Sequence, residues 1–200
     1  MRFINEATEM EAPPRKSTVA IIVDLGNPVF ILLAVVLPNA ALAAAMASGS
    51  LTLLNFVHVM AGVLWTGIDL FLGFVLGPAL RAMEPAQRAQ VFKRLIPRTT
   101  FLLPMLAGVT IMAGLELAQR LGLLTFDSIW TMAALVITAA LVVQGFGMLL
   151  PNDIRIFKEL ISATPNVDKI VRLGTLNLRL AASQGLCQLA IVYVMANLRF

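Results

Sequence analysis

Residues 51–80, LTLLNFVHVMAGVLWTGIDLFLGFVLGPAL, contain only two ionisable side chains, His58 and Asp69. At 1.5 Å per residue, a helix over these 30 residues is about 45 Å long. The hydrocarbon core of a bilayer is only roughly 30 Å thick. This stretch therefore predicts a membrane-spanning helix that tilts or projects, and we expect Pro78 to mark its end.

The rest of the chain repeats this pattern of long apolar blocks. Of its 200 residues, 59% are hydrophobic and 13% are charged, whereas about a quarter of a soluble domain is charged. The composition predicts an all-α, polytopic transmembrane helix bundle, with four core helices over residues 51–198. The predicted core spans are about 51–80, 99–118, 128–150 and 180–198.

The N-terminal region allows two interpretations. Residues 1–24 are polar and predict a tail, and residues 25–47 are uncharged and long enough to cross a bilayer. The Ala45-Met46-Ala47 sequence also has the small-x-small pattern of a signal-peptidase site. A first transmembrane helix and a cleaved signal peptide both remain open, and the long acidic segment ahead of the block favours retention.

Basic residues predict the orientation. They concentrate in two segments, 81–98 and 152–179, which we therefore place in the cytoplasm by the positive-inside rule. The C-terminus is then periplasmic, in a multi-pass protein of a bacterial inner membrane. Basic residues concentrated in these segments indicate topology and contact with the lipid bilayer, and they argue against nucleic acid as a partner.

Two short helices are predicted within these basic segments. Glu84-Pro85 predicts a helix start that runs through Phe92, because proline and an acidic residue both suit a first turn. Residues 154–161 alternate apolar and charged side chains in a helical period. That pattern predicts an amphipathic helix on the membrane surface.

The second span carries a polar stripe. Asn55, His58, Gly62, Trp65 and Asp69 recur at steps of three and four residues. They fall within roughly an 80° arc of a helix, at about 100° per residue. Polar groups are expensive in lipid, so we expect this face to point into the bundle.

The last span has a matching face, with Asn177, Ala181, Gln184 and Gln188 at helical spacing. We expect the two polar faces to meet across the bundle, with Gln144 of the fourth span nearby. On the second span, Gly73 and Gly77 form a small-xxx-small pair, which is typical of close helix packing.

His58 is the only histidine, and its position predicts a depth in the outer half of the membrane. A neutral imidazole can ligate haem or copper, or relay a proton. The alternative is a packing residue that bonds Asn55 or Glu116. Haem would need a second axial ligand, from Met105, Met112 or a second protomer.

Asp69 lies 11 residues beyond His58, about 16 Å along the helix axis. The two side chains therefore cannot share one metal ion, but they can be two stations of one pathway. The alternative is a structural ion pair between Asp69 and Arg179 or Arg98.

No known catalytic motif is present, so the sequence favours a protein that is not an enzyme. Three functions fit the residues. The first is copper or haem binding through His58. The second is a small proton-coupled carrier, and the third is a structural or assembly subunit in a homodimer or a larger membrane complex.

The run from His58 to Gly67, H-V-M-A-G-V-L-W-T-G, matches the pattern H-x3-G-x2-W-x-G, and Gly77-Pro78 and a basic segment ending at Arg98 follow it. This arrangement resembles the bacterial copper-resistance D type proteins and the uncharacterised integral membrane proteins related to them. The resemblance covers about residues 51–198. It implies a four-helix unit of the inner membrane that handles copper or haem, with His58 as ligand and Gly62, Trp65 and Gly67 as its packing context.

Overall fold

A computed structural model describes residues 23–198 of the chain. Five long helices account for most of this part, and none of its residues lies in a strand. The helices are α1 (Pro28–Ser48), α2 (Leu51–Arg81), α3 (Pro85–Arg120), α4 (Ile129–Leu160) and α5 (Val167–Asn197). Each is long and apolar enough to cross a membrane, so the prediction of an all-α polytopic bundle is confirmed. The predicted polar tail at 1–24 lies almost entirely outside the described residues.

Helix α1 packs against the core helices. Asn27 caps its first turn, with the side-chain oxygen accepting from the amides of Val29 and Phe30. Ala45, near the other end, is fully buried. The side-chain amide of Asn39, beside Pro38, donates a hydrogen bond to the carbonyl oxygen of Val35 at 2.7 Å. This bond satisfies the polar side chain inside the helix. Retention or cleavage of this segment stays a prediction.

Helix α2 does not end at Pro78 but continues to Arg81. A π-helical segment, Phe71–Leu76, lies just before this proline, and a second one, Gly145–Leu149, lies in α4 just before Pro151. A proline ring removes one amide donor and crowds the carbonyl four residues earlier. The wider π turn is suited to absorbing that conflict without ending the helix.

Helix α3 is much longer than predicted. The expected short helix from Pro85 to Phe92 runs on without a break to Arg120, through Pro97 and Pro104. Glu84 and Gln87 form a capping box at its start. The basic segment 81–98 is therefore mostly the first third of a long helix and not a loop.

The predicted surface helix at 154–161 is also corrected. It continues α4, and its apolar side packs inside the protein: Ile156 is 0% exposed and Phe157 5%, whereas Ile154 faces outward. Both buried residues belong to a core cluster with Phe92 and Ile170, from α3 and α5. The amphipathic pattern is real, but its apolar face is covered by neighbouring helices rather than by lipid.

Two apolar clusters form the core. One gathers α1, α2, α3 and α4 around Leu54, Ala113 and Leu141, and the other gathers α2, α3, α4 and α5 around Leu72 and Phe92. Along α2, Trp65 belongs to the first cluster and Leu72 to the second. Asp69 lies between these two residues along the helix, and therefore between the two apolar clusters.

Candidate functional site

Helices α2 and α5 cross closely beside Asp69. A Cβ atom built at Gly73 would clash with the Cβ of Ala182 and would lie 2.5 Å from the Cα of Ala182. A Cβ at Gly185 would lie 2.7 Å from the Leu70 side chain and 3.2 Å from its backbone nitrogen. Gly77, which the sequence pairs with Gly73, is less constrained. A Cβ atom built there would lie 3.8 Å from the Cβ of Leu178. The close approach therefore depends on Gly73 and Gly185.

The crossing brings the only acidic side chain of residues 51–80 against α5. Asp69 is 1% exposed, and its Oδ2 accepts a hydrogen bond from Gln188 Nε2 at 3.0 Å. The indole of Trp65, one turn earlier, also neighbours this carboxyl group. The expected ion pair with Arg179 or Arg98 is wrong, since Arg98 donates to the carbonyl of Arg94 at 2.6 Å and Arg179 is exposed.

The polar face of α5 lies in the bundle interior. Gln184 and Gln188 are 3% and 2% exposed, and Ala181 between Asn177 and Gln184 is buried as well. Gln144 bonds a neighbouring part of the same helix. Its amide donates to Ser183 Oγ at 2.6 Å and to the carbonyl of Leu180 at 3.2 Å. Gln144 therefore joins α4 to a different face of α5.

A cavity of about 90 Å³ lies between α2, α3, α4 and α5. We call it the Asp69 cavity. It is mostly apolar, and its polar wall is provided by Trp65, Asp69, Thr99, Thr100, Asp153, Asn177 and Gln184. One water needs roughly 10–15 Å³ of such space, so this cavity has room for several water molecules between two buried carboxyl groups.

Asp153 is the second of those carboxyl groups, and it was not among the site residues predicted from the sequence. Its Oδ2 accepts from Thr100 Oγ1 at 2.6 Å and its Oδ1 from Asn177 Nδ2 at 2.7 Å. Asn152 Nδ2 donates in turn to Asn177 Oδ1 at 3.0 Å, and the Asn152 oxygen accepts from Arg155 at 3.4 Å. This network joins α3, α4 and α5 and leads from the cavity to an exposed arginine.

His58 lies on the other side of Trp65. Its Nδ1 is 2.8 Å from the carbonyl oxygen of Thr110. A carbonyl can only accept, so Nδ1 carries the proton in the neutral ring and Nε2 carries the lone pair. The ring fits against Gly114, where a Cβ would lie 2.7 Å from the ring carbon Cε1. Glu116, proposed as a partner from the sequence, instead pairs with Arg120 at 2.7 Å.

A larger cavity of about 440 Å³ adjoins this imidazole, and we call it the His58 cavity. Its polar lining comes from all four core helices: Asn55, His58, Trp65, Thr66, Thr110, Thr131, Thr138 and Gln188. Met195 also lies in its wall, whereas Met105 and Met112 do not. Gly62 lines the cavity beside Thr110, but Gly67 is exposed with no atom near it. Gly67 thus takes no part in the packing around His58.

The two cavities share one wall, formed by Trp65, Ile111 and Leu141. Asp69 lines the smaller cavity and Gln188 lines the larger one. Their hydrogen bond therefore crosses from one cavity to the other. The polar side chains of four helices consequently line two adjoining compartments, with the Asp69–Gln188 hydrogen bond between them.

Within residues 23–198, no three histidine, cysteine, aspartate or glutamate side chains come together as a metal site. A copper centre built from such ligands does not fit these residues. Comparison with protein-family models, with curated proteins and with solved structures gives no match for this chain.

Proposed function

We propose that this membrane protein conducts protons along a file of polar side chains, from the His58 cavity through Asp69 to Asp153. One observation carries the proposal: the two cavities meet at the Asp69–Gln188 hydrogen bond. Ionisable side chains inside a membrane are costly and commonly mark ion or proton pathways. A purely structural bundle has no need to place such groups along two adjoining cavities.

The chemistry of each station suits proton transfer. His58 Nε2 holds a lone pair and can accept a proton from the larger cavity while Thr110 keeps the ring oriented. Asp69 can accept the proton next, since water fits in both cavities. Asp153, which lines the same small cavity as Asp69, can accept the proton next, while Thr100 and Asn177 hold its carboxyl group in place by donating to it. With the orientation expected from the basic residues, this direction is from the periplasm to the cytoplasm.

The test is proton flux into proteoliposomes that contain a pH-sensitive dye, driven by a potassium diffusion potential. We expect acidification above the rate of empty liposomes, and a fall of at least tenfold in Asp69→Asn. Asparagine keeps the size of the side chain and an oxygen that accepts from Gln188, so the packing should survive. Glu116→Gln is the matched control, because Glu116 belongs to a surface ion pair outside both cavities.

Two results would overturn the proposal. One is a wild-type rate equal to that of empty liposomes. The other is an Asp69→Asn rate equal to the wild type, with equal amounts of inserted protein in both preparations.

The geometry of His58 favours haem binding as a second candidate function. Its Nδ1 donor bond to a carbonyl is the usual arrangement of a metal-ligating histidine. Met195 lines the same cavity, and a histidine–methionine pair is a known axial set for haem iron. These residues fit haem, which would supply redox chemistry, and they replace Met105 and Met112 as the methionine expected from the sequence.

Haem binding is measured by titrating the purified protein with haem and recording its absorption spectrum. We expect a Soret band that saturates at one haem per chain and disappears in His58→Ala. A spectrum identical to that of haem in empty detergent micelles would remove this candidate.

A further inference from the structure

Three buried oxygen atoms at the α2–α5 crossing have no hydrogen-bond donor within range, although the Trp65 indole neighbours the Asp69 carboxyl group. They are Asp69 Oδ1, Gln184 Oε1 and Gln188 Oε1. Their residues are 1%, 3% and 2% exposed, respectively. An unsatisfied buried acceptor costs about 1–3 kcal/mol, and more when it is charged. Three of them together indicate a site that an occupant completes.

The three oxygens belong to one place in the fold. Asp69 and Gln188 are joined by their 3.0 Å hydrogen bond. Gln184 lies one helical turn before Gln188 on α5, and it lines the Asp69 cavity together with Asp69. Asp69 and Gln184 therefore border the Asp69 cavity, and Gln188 is joined to this pair by its hydrogen bond to Asp69.

A cation would satisfy these oxygens and balance the charge of the Asp69 carboxylate. Gln188 already uses its amide nitrogen on Asp69 Oδ2, and the three atoms left without a donor are all acceptors. In the part of the chain that the structure describes, Arg120 pairs with Glu116 and Lys169 pairs with Glu159. No lysine or arginine there is placed to neutralise Asp69.

We propose that Asp69 Oδ1, Gln184 Oε1 and Gln188 Oε1 bind a monovalent metal cation of the sodium type. Carboxylate and amide oxygens are the ligands of hard cations. One carboxylate balances one positive charge, whereas a divalent ion would leave an uncompensated charge in an apolar bundle. The Asp69 cavity, at about 90 Å³, has room for the water molecules that complete the coordination shell.

This inference deepens the proposed function, because the cation would occupy the point at which the two cavities meet and so act as a coupling ion. Binding itself is measured without transport. The probe is sodium chloride, titrated into the detergent-purified full chain against choline chloride at constant ionic strength. The readouts are the thermal unfolding temperature and the fluorescence of Trp65, in a Trp130→Phe background.

We expect sodium to raise the unfolding temperature in a saturable manner and to change the Trp65 emission over the same concentration range. Gln184→Leu, which removes one ligand at similar size, should weaken the apparent affinity at least tenfold, and Asp69→Asn should abolish the response. Gln144→Leu is the matched control, because Gln144 bonds Ser183 and Leu180 outside both cavities. It should keep the sodium response of the wild type.

The absence of a saturable response to sodium, lithium and potassium in the wild-type chain would overturn the site. An undiminished response in Gln184→Leu would also overturn it, even if Asp69→Asn failed to fold. Sodium binding without proton flux would support this site and refute the proposed function. Proton flux without sodium binding would support the proposed function and refute this site.

Discussion

Replacement of Gly73 by alanine should destabilise the bundle, although alanine is the better helix former. The new Cβ would fall on the Cβ of Ala182 and lie 2.5 Å from its Cα and 2.7 Å from its amide nitrogen. Two of these three atoms belong to the backbone, so no side-chain rotation relieves the contact. Ordinary contact begins at 3.4 Å, so α2 and α5 must separate by at least about 0.9 Å to relieve the contact with Cα, and by more to relieve the closer contact with Cβ.

This separation acts one turn away from the polar site. Opening the crossing by this amount would stretch the 3.0 Å bond between Gln188 and Asp69 beyond hydrogen-bond range. Overpacking costs about 1–3 kcal/mol, and leaving buried partners unpaired costs about 1–3 kcal/mol more. The higher helix propensity of alanine returns about 1 kcal/mol. We therefore expect the free energy of unfolding to fall by about 1–5 kcal/mol.

The assay is equilibrium unfolding of the purified protein in mixed micelles, and Gly67→Ala is the matched control on the same helix. No atom lies within 4 Å of a Cβ at Gly67, so this variant should be unchanged or more stable by up to about 1 kcal/mol. If Gly73→Ala were as stable as Gly67→Ala, α2 and α5 would not cross this closely. A close crossing would then not be what positions Asp69 against Gln188.

Three further changes test the packing around the site by the same unfolding assay. Gly174→Ala places a Cβ 2.7 Å from the buried ring of Phe92, so stability should fall by about 1–3 kcal/mol; no fall would mean that the ring can move away. Asn177→Leu removes the 2.7 Å donor to Asp153 and should cost about 1–3 kcal/mol, and an unchanged stability would show that this network is not structural. Glu116→Gln breaks only a surface pair, so a loss above about 1 kcal/mol would contradict its assignment as a control.

Helix periodicity alone predicted which side chains of α2 share a face. His58, Trp65 and Asp69 all line the two cavities, as steps of three and four residues require in any helix. The partner of each could not be predicted in this way. Asp69 bonds Gln188 of α5, and His58 bonds a backbone carbonyl of α3. Every residue has a backbone carbonyl, so no sequence pattern identifies the one that bonds His58.

The network at Asp153 shows a second limit. In the sequence, Asn152 and Asp153 open a polar segment that predicts a loop. In the fold, α4 continues through this segment and turns both side chains toward α3 and α5. The helical spacing of Ile156 and Phe157 after Asn152 and Asp153 was the available signal. This spacing indicates a buried helix face. The basic residues around it, however, are equally compatible with a helix exposed to water.

The sequence by itself determined that this chain is a bundle of long apolar helices, because backbone hydrogen bonds in lipid must be satisfied within each segment. It also determined that a lone imidazole and a lone carboxyl group share one face of α2. Only the tertiary structure decided that two cavities meet at Asp69 and that three acceptors there lack a donor. These features depend on the distance between α2 and α5. Close contacts at Gly73 and Gly185 set that distance, and no local sequence pattern predicts it.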